Sequence, residues 1–253
     1  MSVKSIQVID RAVDILNYLA EHNELGVTEL GTLLKLHKST VHRILVTLEE
    51  RSIVEKNLET GKYRLGIGMF RIGAKMIKRF DINNKVRPHM VELVNKIDQT
   101  VYFSLFKDGR AFITEIVESN KAIRMSGVIG SEAPLHAWAT GKILLANYSN
   151  VLEALKDVEL KSFTNKTITE YSKLKDHIKQ VKENGYALDI EEWEENMICI
   201  AFPVNDYTTK VIGSLHIAIS KTTWKDKKEM DFLKDELQKT ARIISKTLGY
   251  IET

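Results

Sequence analysis

The sequence predicts an α+β protein of two domains, and three observations carry that expectation. Apolar residues recur at helical spacing through residues 8–51, a short basic hairpin pattern follows at once, and beyond residue 85 strands with turn signals interleave with helices. At 253 residues the chain is longer than one hydrophobic core usually serves, which favours two domains over one. Hydrophobic and charged contents of 43% and 28% are those of a folded protein rather than a disordered one. The single cysteine, Cys199, excludes an internal disulfide framework and a Cys-only zinc site. The N-terminus lacks a secretory apolar segment and no run of 18 apolar residues occurs, so a soluble, cytoplasmic protein with no membrane partner is expected.

The first helix is predicted over "VIDRAVDILNYLAEHN", where Val8, Ala12, Ile15, Leu16 and Leu19 form the apolar side. Thr28 is the expected N-cap of a second short helix that turns Leu30, Leu33 and Leu34 inward. A third helix should run from Lys38 to about Arg51. Its Val41, Ile44, Leu45 and Leu48 fix the buried side, so Ser39, Arg43, Val46 and Glu50 point outward with His42 beside them. "IVEKNLETGKYRLG" then reads as two short strands around a Glu59-Thr60-Gly61 turn. Three helices and a basic hairpin make a winged helix-turn-helix, whose third helix presents its outward side chains to the DNA major groove.

Charge distribution agrees with that reading. The chain carries a net charge of only +3, but residues 1–80 hold 13 Lys/Arg against 9 Asp/Glu. Between Arg51 and Arg79 eight basic residues face two acidic ones, Glu55 and Glu59. A local basic stripe displaces counterions condensed on phosphates, which total charge alone does not report.

"IGMFRIGAKMIKRF" predicts a connecting helix with Ile67, Phe70, Ala74 and Ile77 on a face offered to a second subunit, and "FDINN" marks the boundary after it. The expected organisation is residues 1–66 for the winged domain, 67–80 for the linker helix and 81–253 for the remainder. In that last part, "VRPHMVELVNKI" is a helix and "TVYFSLFKDGRAFITEIVE" a hairpin about Lys107-Asp108-Gly109-Arg110. "AIRMSGV" is a strand, "WATGKILLANYS" a helix opening near Gly141, and "EYSKLKDHIKQVKENG" a helix stopped by Gly185. Strands "YALDI", "MICIAFPV" and "KVIGSLHIAIS" precede a closing helix from about Thr223 to Leu248. Hairpins with flanking helices imply an antiparallel sheet in a ligand-sensing domain.

Six stretches in order, "RAVDIL", "LHKSTVHRILVTLEE", "YRLGIGMFRIG", "PLHAWATGKILLA", "NGYALDIEE" and "CIAFPV", resemble the isocitrate lyase regulator (IclR) family of bacterial transcription regulators. The resemblance implies a winged helix-turn-helix, a linker helix and a C-terminal GAF-like α/β effector domain, assembled as a homodimer or homotetramer. It also implies a double-stranded DNA operator of approximate two-fold symmetry, a small carboxylic or aromatic acid as effector, and an output that is most often repression.

"KSTVHR" matches the family's recognition helix. Ser39, His42 and Arg43 would face the major groove, Lys38 and Thr40 would lie at phosphates, and Lys62, Tyr63 and Arg64 of the wing would hold the backbone. Arg43 is the expected base reader, because its planar fork can donate to both O6 and N7 of guanine. In the effector domain the resemblance assigns the pocket floor to backbone N–H groups at Ala139 and Thr140, where a helix N-terminus can receive a carboxylate. Met125, Asp189, Met197, Cys199, His216 and Ala218 are the other pocket positions. Trp138 stands where smaller residues are common, Asn196 where glycine is usual, and His216 and Ala218 where relatives present serines. Asn tolerates left-handed backbone, so the turn at Asn196 should survive.

Other chemistry fits less well. "GIGMFRIG" puts Arg71 where a dinucleotide loop needs its third glycine, and "HAWATGKI" fails as a phosphate loop at His136 and Ile143. Gly-x-Ser-x-Gly is absent, which leaves a hydrolase reading only a Cys199–His216 pair across neighbouring strands; the alternative from another class is a small-molecule-binding enzyme whose N-terminal domain serves dimerisation. Asp189, Cys199 and His216 are chemically suited to zinc, but spacing alone is thin support, and neither metal nor cofactor is expected.

Overall fold

The computed structural model describes residues 6–77, 81–120, 127–132, 134–222, 224 and 226–251. The chain divides into two compact units, one up to Asp81 and one from Ile82 onward.

In the first unit α1 (Gln7–Glu21), α2 (Val27–Leu34) and α3 (Lys38–Glu50) precede a two-stranded wing of β1 (Val54–Lys56) and β2 (Tyr63–Leu65), and α4 (Ile67–Ile77) follows. Ile15 and Leu19 of α1, Leu30 of α2, Val41 and Leu45 of α3, and Val54 and Tyr63 of the wing form one core. Leu33, expected inward, is exposed, and so is Val8. The N-cap of α2 is Gly26 rather than Thr28. The Glu29 carboxylate reaches back to accept the Gly26 N–H at 2.6 Å, which satisfies the N-cap donor and fixes that cap two residues before Thr28. Leu25 and Tyr63 exchange both backbone hydrogen bonds at 2.9 Å, so the wing is tied to the loop before α2. Glu24 adds to this by accepting from the Asn57 amide and the Thr60 hydroxyl.

The second unit is a five-stranded antiparallel sheet of order β4-β3-β7-β6-β5 with helices on both faces. Its elements are α5 (Asp81–Ile97), β3 (Val101–Lys107), β4 (Arg110–Val117), α6 (Ala139–Asn147), α7 (Ser149–Ala154), α8 (Tyr171–Asn184), β5 (Ala187–Ile190), β6 (Met197–Asn205), β7 (Val211–Ser220) and α9 (Lys227–Thr247). The β3–β4 turn places Asp108 and Gly109 at φ 51° and 76°, the left-handed pair that matches strand twist. Gly185, at φ 75°, ends α8 as expected. α5 begins at Asp81, so "FDINN" is helical where it is described and no loop separates it from the following segment. α9 starts at Lys227, later than expected, because the Asp226 side chain accepts the Glu229 N–H and fixes the N-cap there. The strand predicted over "AIRMSGV" lies mostly outside the described residues; Gly127 and Val128 are not in a strand.

Alternation sorts the sheet into two faces. Ile198, Ile200, Phe202, Leu215 and Ile217 belong to the face on which α9 packs. Tyr102, Cys199 and Ala201 belong to the other, and cluster with Trp138, Ala139 and Ile143 of the α6 segment and Leu174 and Ile178 of α8.

Candidate nucleic-acid interface and ligand site

On α3 the side buried by Val41, Ile44 and Leu45 leaves Lys38, Ser39, His42 and Arg43 exposed and Thr40 half-buried. These side chains occupy the first turn and a half, so they converge on one end of the helix.

The wing carries Lys62 and Arg64 outward, each in an exposed ion pair, Lys62 with Glu29 at 3.0 Å and Arg64 with Glu55 at 2.6 Å. Such pairs contribute little to stability, and a phosphate can compete for either cation. The backbone N–H of Gly26 and then Lys62 hold the Glu29 carboxyl below its ordinary range. Tyr63 does not join them. It is 2% exposed, its ring sits in the core and both its backbone groups are paired with Leu25, so the expectation that it holds a phosphate is corrected. Burial, and after it the charge of Glu49, push its hydroxyl up from the usual value. Along α4, Ile67, Phe70 and Ile72 are exposed, as are Arg71 and Lys75. Ala74 and Ile77, the rest of the expected apolar face, have side chains outside the described set, and Lys78 and Arg79 lie outside the described residues.

In the second unit the sheet register decides what meets what. Asp189 pairs with Cys199, and Cys199 with Ala218; one alternate row along, Ala201 pairs with His216, and His216 with Tyr102. These side chains therefore share the face toward α6. Trp138 is the N-cap of α6 with extended backbone, so the free N–H groups of the first turn begin at Ala139 and Thr140. The Ser214 hydroxyl donates to the Thr140 hydroxyl at 3.1 Å, which locks the start of α6 against β7. His216 stacks on Tyr102 with centroids 5.2 Å apart and meets Trp138 edge-on at 4.7 Å; Trp193 leans on Trp138 at 5.6 Å. Thus Trp138, Ala139, Thr140, Asp189, Met197, Cys199, His216 and Ala218 all lie in this region, Ala218 half-buried and the others buried. Met125 lies outside the described residues.

Several polar atoms here are buried without a hydrogen-bond partner among the described residues: Asp189 Oδ2, both His216 ring nitrogens, Ser104 Oγ and Glu192 Oε2. Burial pushes the Asp189 carboxyl up to about 7, against the opposing pull of the Glu192 N–H and the Lys142 ammonium. Burial drives His216 down to about 3, so its imidazole is neutral, and it drives the Cys199 thiol well up. Behind the site, Lys142 of α6 is fully buried, donating to Glu192 Oε1 at 2.5 Å and to the Leu188 carbonyl at 3.0 Å. Burial, and then Lys142, hold His177 down to about 4.

The cysteine-enzyme and zinc-site readings lose support. A thiol raised by burial is a poor nucleophile. Among the described residues no three His, Cys, Asp or Glu side chains come close enough to hold a metal. The reason is register, since the strand neighbour of Cys199 is Ala218 and His216 lies two residues away. Spacing alone missed Tyr102, Ser104, Lys142, Glu192 and Trp193, although the alternation in "VYFSLF" already places Tyr102 and Ser104 on one face.

Comparison with known proteins adds the relatives. Residues 8–58 match the IclR helix-turn-helix domain, and residues 74–246 match the family described as bacterial transcriptional regulator IclR C-terminal. The HTH-type transcriptional regulator XynR of Escherichia coli strain K12 is 32% identical over 248 residues, 97% of this chain and 98% of that one. The crystal structure of the Thermotoga maritima IclR superposes with a TM-score of 0.76 at 26% identity, over 97% of this chain and all of that one. An IclR homolog from Microbacterium hydrocarbonoxydans, crystallised in complex with 4-hydroxybenzoate, shares the fold at a TM-score of 0.81 and 19% identity, over 95% and 98% of the two chains.

Proposed function

The chain belongs to the IclR family of bacterial transcriptional regulators, and from that premise we propose that it is an operator-binding repressor released by a small organic acid bound beneath α6. The observation that carries the DNA-reading half is the exposed cluster Ser39, His42 and Arg43 at the start of a helix whose opposite side is buried. Arg43 reads guanine, Lys38 and Thr40 lie at phosphates, and Lys62 and Arg64 hold the backbone from the wing. The protein works as a homodimer or homotetramer in the cytoplasm, with the exposed apolar side of α4 supporting subunit contact. Pairing of two such helices calls for an operator of approximate two-fold symmetry. Its relatives are named as transcriptional regulators and repressors, not as enzymes.

For the effector, support comes from the first-turn donors of α6, where a carboxylate is electrostatically favoured, and from the buried unpartnered groups around it. A ligand shifts the equilibrium between operator-competent and released arrangements only by its differential affinity for them, so acid and operator weaken each other's binding by the same factor.

The test is selection of bound duplexes from a randomised library at near-physiological salt, with Arg43→Ala in parallel. The wild type should enrich a symmetric motif. The variant should lose preference at one base pair per half-site, a penalty of about 1–3 kcal/mol. Unchanged preference in Arg43→Ala would remove α3 as the reader.

A further inference from the structure

We propose that the acid recognised beneath α6 is a polyhydroxylated aliphatic carboxylate, with the His216 imidazole and the Asp189 carboxyl pairing its hydroxyls, rather than an aromatic acid. The inference deepens the effector-site reading above and rests on it. Four side-chain polar atoms on one face of the sheet have no hydrogen-bond partner among the described residues: both ring nitrogens of His216 at 1% exposure, Asp189 Oδ2 at 0% and Ser104 Oγ at 0%. A buried polar atom left unpaired costs on the order of 1–3 kcal/mol, so the unpaired atoms of His216 and Asp189, on the strands either side of β6, mark a site whose complement is a ligand.

The kind of complement follows from their chemistry. A neutral imidazole offers one N–H donor and one lone pair, which is what a hydroxyl needs, because it both accepts and donates. Asp189 spends Oδ1 on the Glu192 N–H at 2.7 Å and leaves Oδ2 to meet a second hydroxyl. Ser104 lies on the face of β3 that carries Tyr102, opposite Ser214, whose hydroxyl reaches Thr140 at the start of α6. The ligand's carboxylate belongs at those first-turn N–H groups.

Geometry separates the polar groups. β5 and β7 are two strand spacings apart, about 9–10 Å, and His216 lies one alternate position along from Ala218, the residue in line with Asp189. Hydroxyls spread along a carbon chain can meet groups on both strands. A flat ring carrying one carboxylate and one hydroxyl, as in 4-hydroxybenzoate, has one further polar group to offer and leaves the others unpaired. The ring positions next to His216 are also taken, one face by Tyr102 and one edge by Trp138.

Calorimetric titration of the full chain against matched acids tests this: gluconate against hexanoate, tartrate against succinate, and 4-hydroxybenzoate as the aromatic arm. At least one hydroxylated acid should bind ten-fold or more tightly than both its deoxy partner and 4-hydroxybenzoate. His216→Phe keeps the stacking on Tyr102 and removes two unpaired buried nitrogens, so it should erase that preference without lowering the melting temperature; Asp189→Asn, which keeps the acceptor for the Glu192 N–H, should reduce it. The proposal is overturned if 4-hydroxybenzoate, hexanoate or succinate binds as tightly as the hydroxylated acids, or if the preference survives both variants. No binding by any of the five acids would overturn the effector-site reading itself.

Discussion

Lys142→Met is the substitution whose consequence the structure defines best. The Lys142 side chain is 0% exposed and its ammonium is shared between Glu192 Oε1 and the Leu188 carbonyl, while the Glu192 side chain is only 11% exposed. Methionine fills a similar volume, so the loss is electrostatic: a buried carboxylate without its counter-ion, with Glu192 Oε2 already unpaired. Breaking a buried pair from one side costs about 3–5 kcal/mol. For a unit of this size each kcal/mol moves Tm by roughly 2–4 °C, so the second unit should melt about 6–20 °C lower. Burial already raises the Glu192 carboxyl, and removing the ammonium raises it further. A raised folded-state pKa contributes stability that is present at low pH and lost as pH rises through it, so the gap to wild type should narrow from pH 7.5 to pH 5.5. Lys142→Met/Glu192→Leu removes both charges and should recover most of the loss. Differential scanning calorimetry of the three proteins at both pH values is the assay. A single variant within one or two degrees of wild type, or a double variant no more stable than the single, would refute the pair as a structural tether.

Other consequences are equally direct. At Gly141 a Cβ would stand 2.4 Å from Leu135 Cα and 2.5 Å from its carbonyl oxygen, both backbone, so Gly141→Ala should destabilise by about 1–3 kcal/mol in thermal melts; an unchanged Tm would show that the contact yields. Asp189, raised from 3.8 to about 7, loses stability as pH climbs between those values because the folded state resists its charge. Asp189→Asn should therefore match wild type near pH 4 and melt above it at pH 8, by a difference on the order of a few kcal/mol; parallel pH profiles would contradict the shift. Lys62→Ala should weaken binding to all DNA sequences alike and reduce the log–log salt slope by about one, measured by fluorescence anisotropy, whereas Tyr63→Phe should leave that slope unchanged. A Tyr63→Phe variant with a reduced slope would return that residue to the interface.

Much of this was legible in the sequence because periodicity reports burial directly. Val41, Ile44 and Leu45 identify the core side of α3, and the outward side follows by rotation. The same logic applied to the wing puts Lys62 and Arg64 outward and turns Tyr63 in, so its burial was readable from alternation, but an aromatic residue in a basic wing suggests phosphate contact first. Caps are harder to read. Thr28 has the right chemistry, and Gly26 wins because Glu29, three residues on, supplies the acceptor from the far side. Asn196 was legible: it takes φ 62°, the left-handed conformation for which Asn substitutes for glycine. The proposed ligand site was only half legible, since its members sit on four strands and one helix end. That His216 stacks on Tyr102, and that Cys199 faces Asp189 rather than His216, depends on register across a sheet ordered β4-β3-β7-β6-β5. No local pattern encodes that order.

The two glycine-bearing stretches that mimic phosphate loops make the same point from the other direction. In "GIGMFRIG" a Cβ on Gly66 or on Gly68 would lie 2.5 Å from the Ser52 carbonyl oxygen, so both glycines admit the close passage of the wing's return against the end of α3. In "HAWATGKI" Gly141 admits Leu135, and Lys142 is turned inward to Glu192 rather than outward to an anion. Close backbone approach and a buried cation are each ordinary packing demands; set side by side, they reproduce the letters of a phosphate-binding motif. What separates the cases is where the lysine points. Here it anchors the segment after β5 to α6, and the backbone N–H groups of the same helix's first turn are the ones to which the proposed effector's carboxylate is assigned.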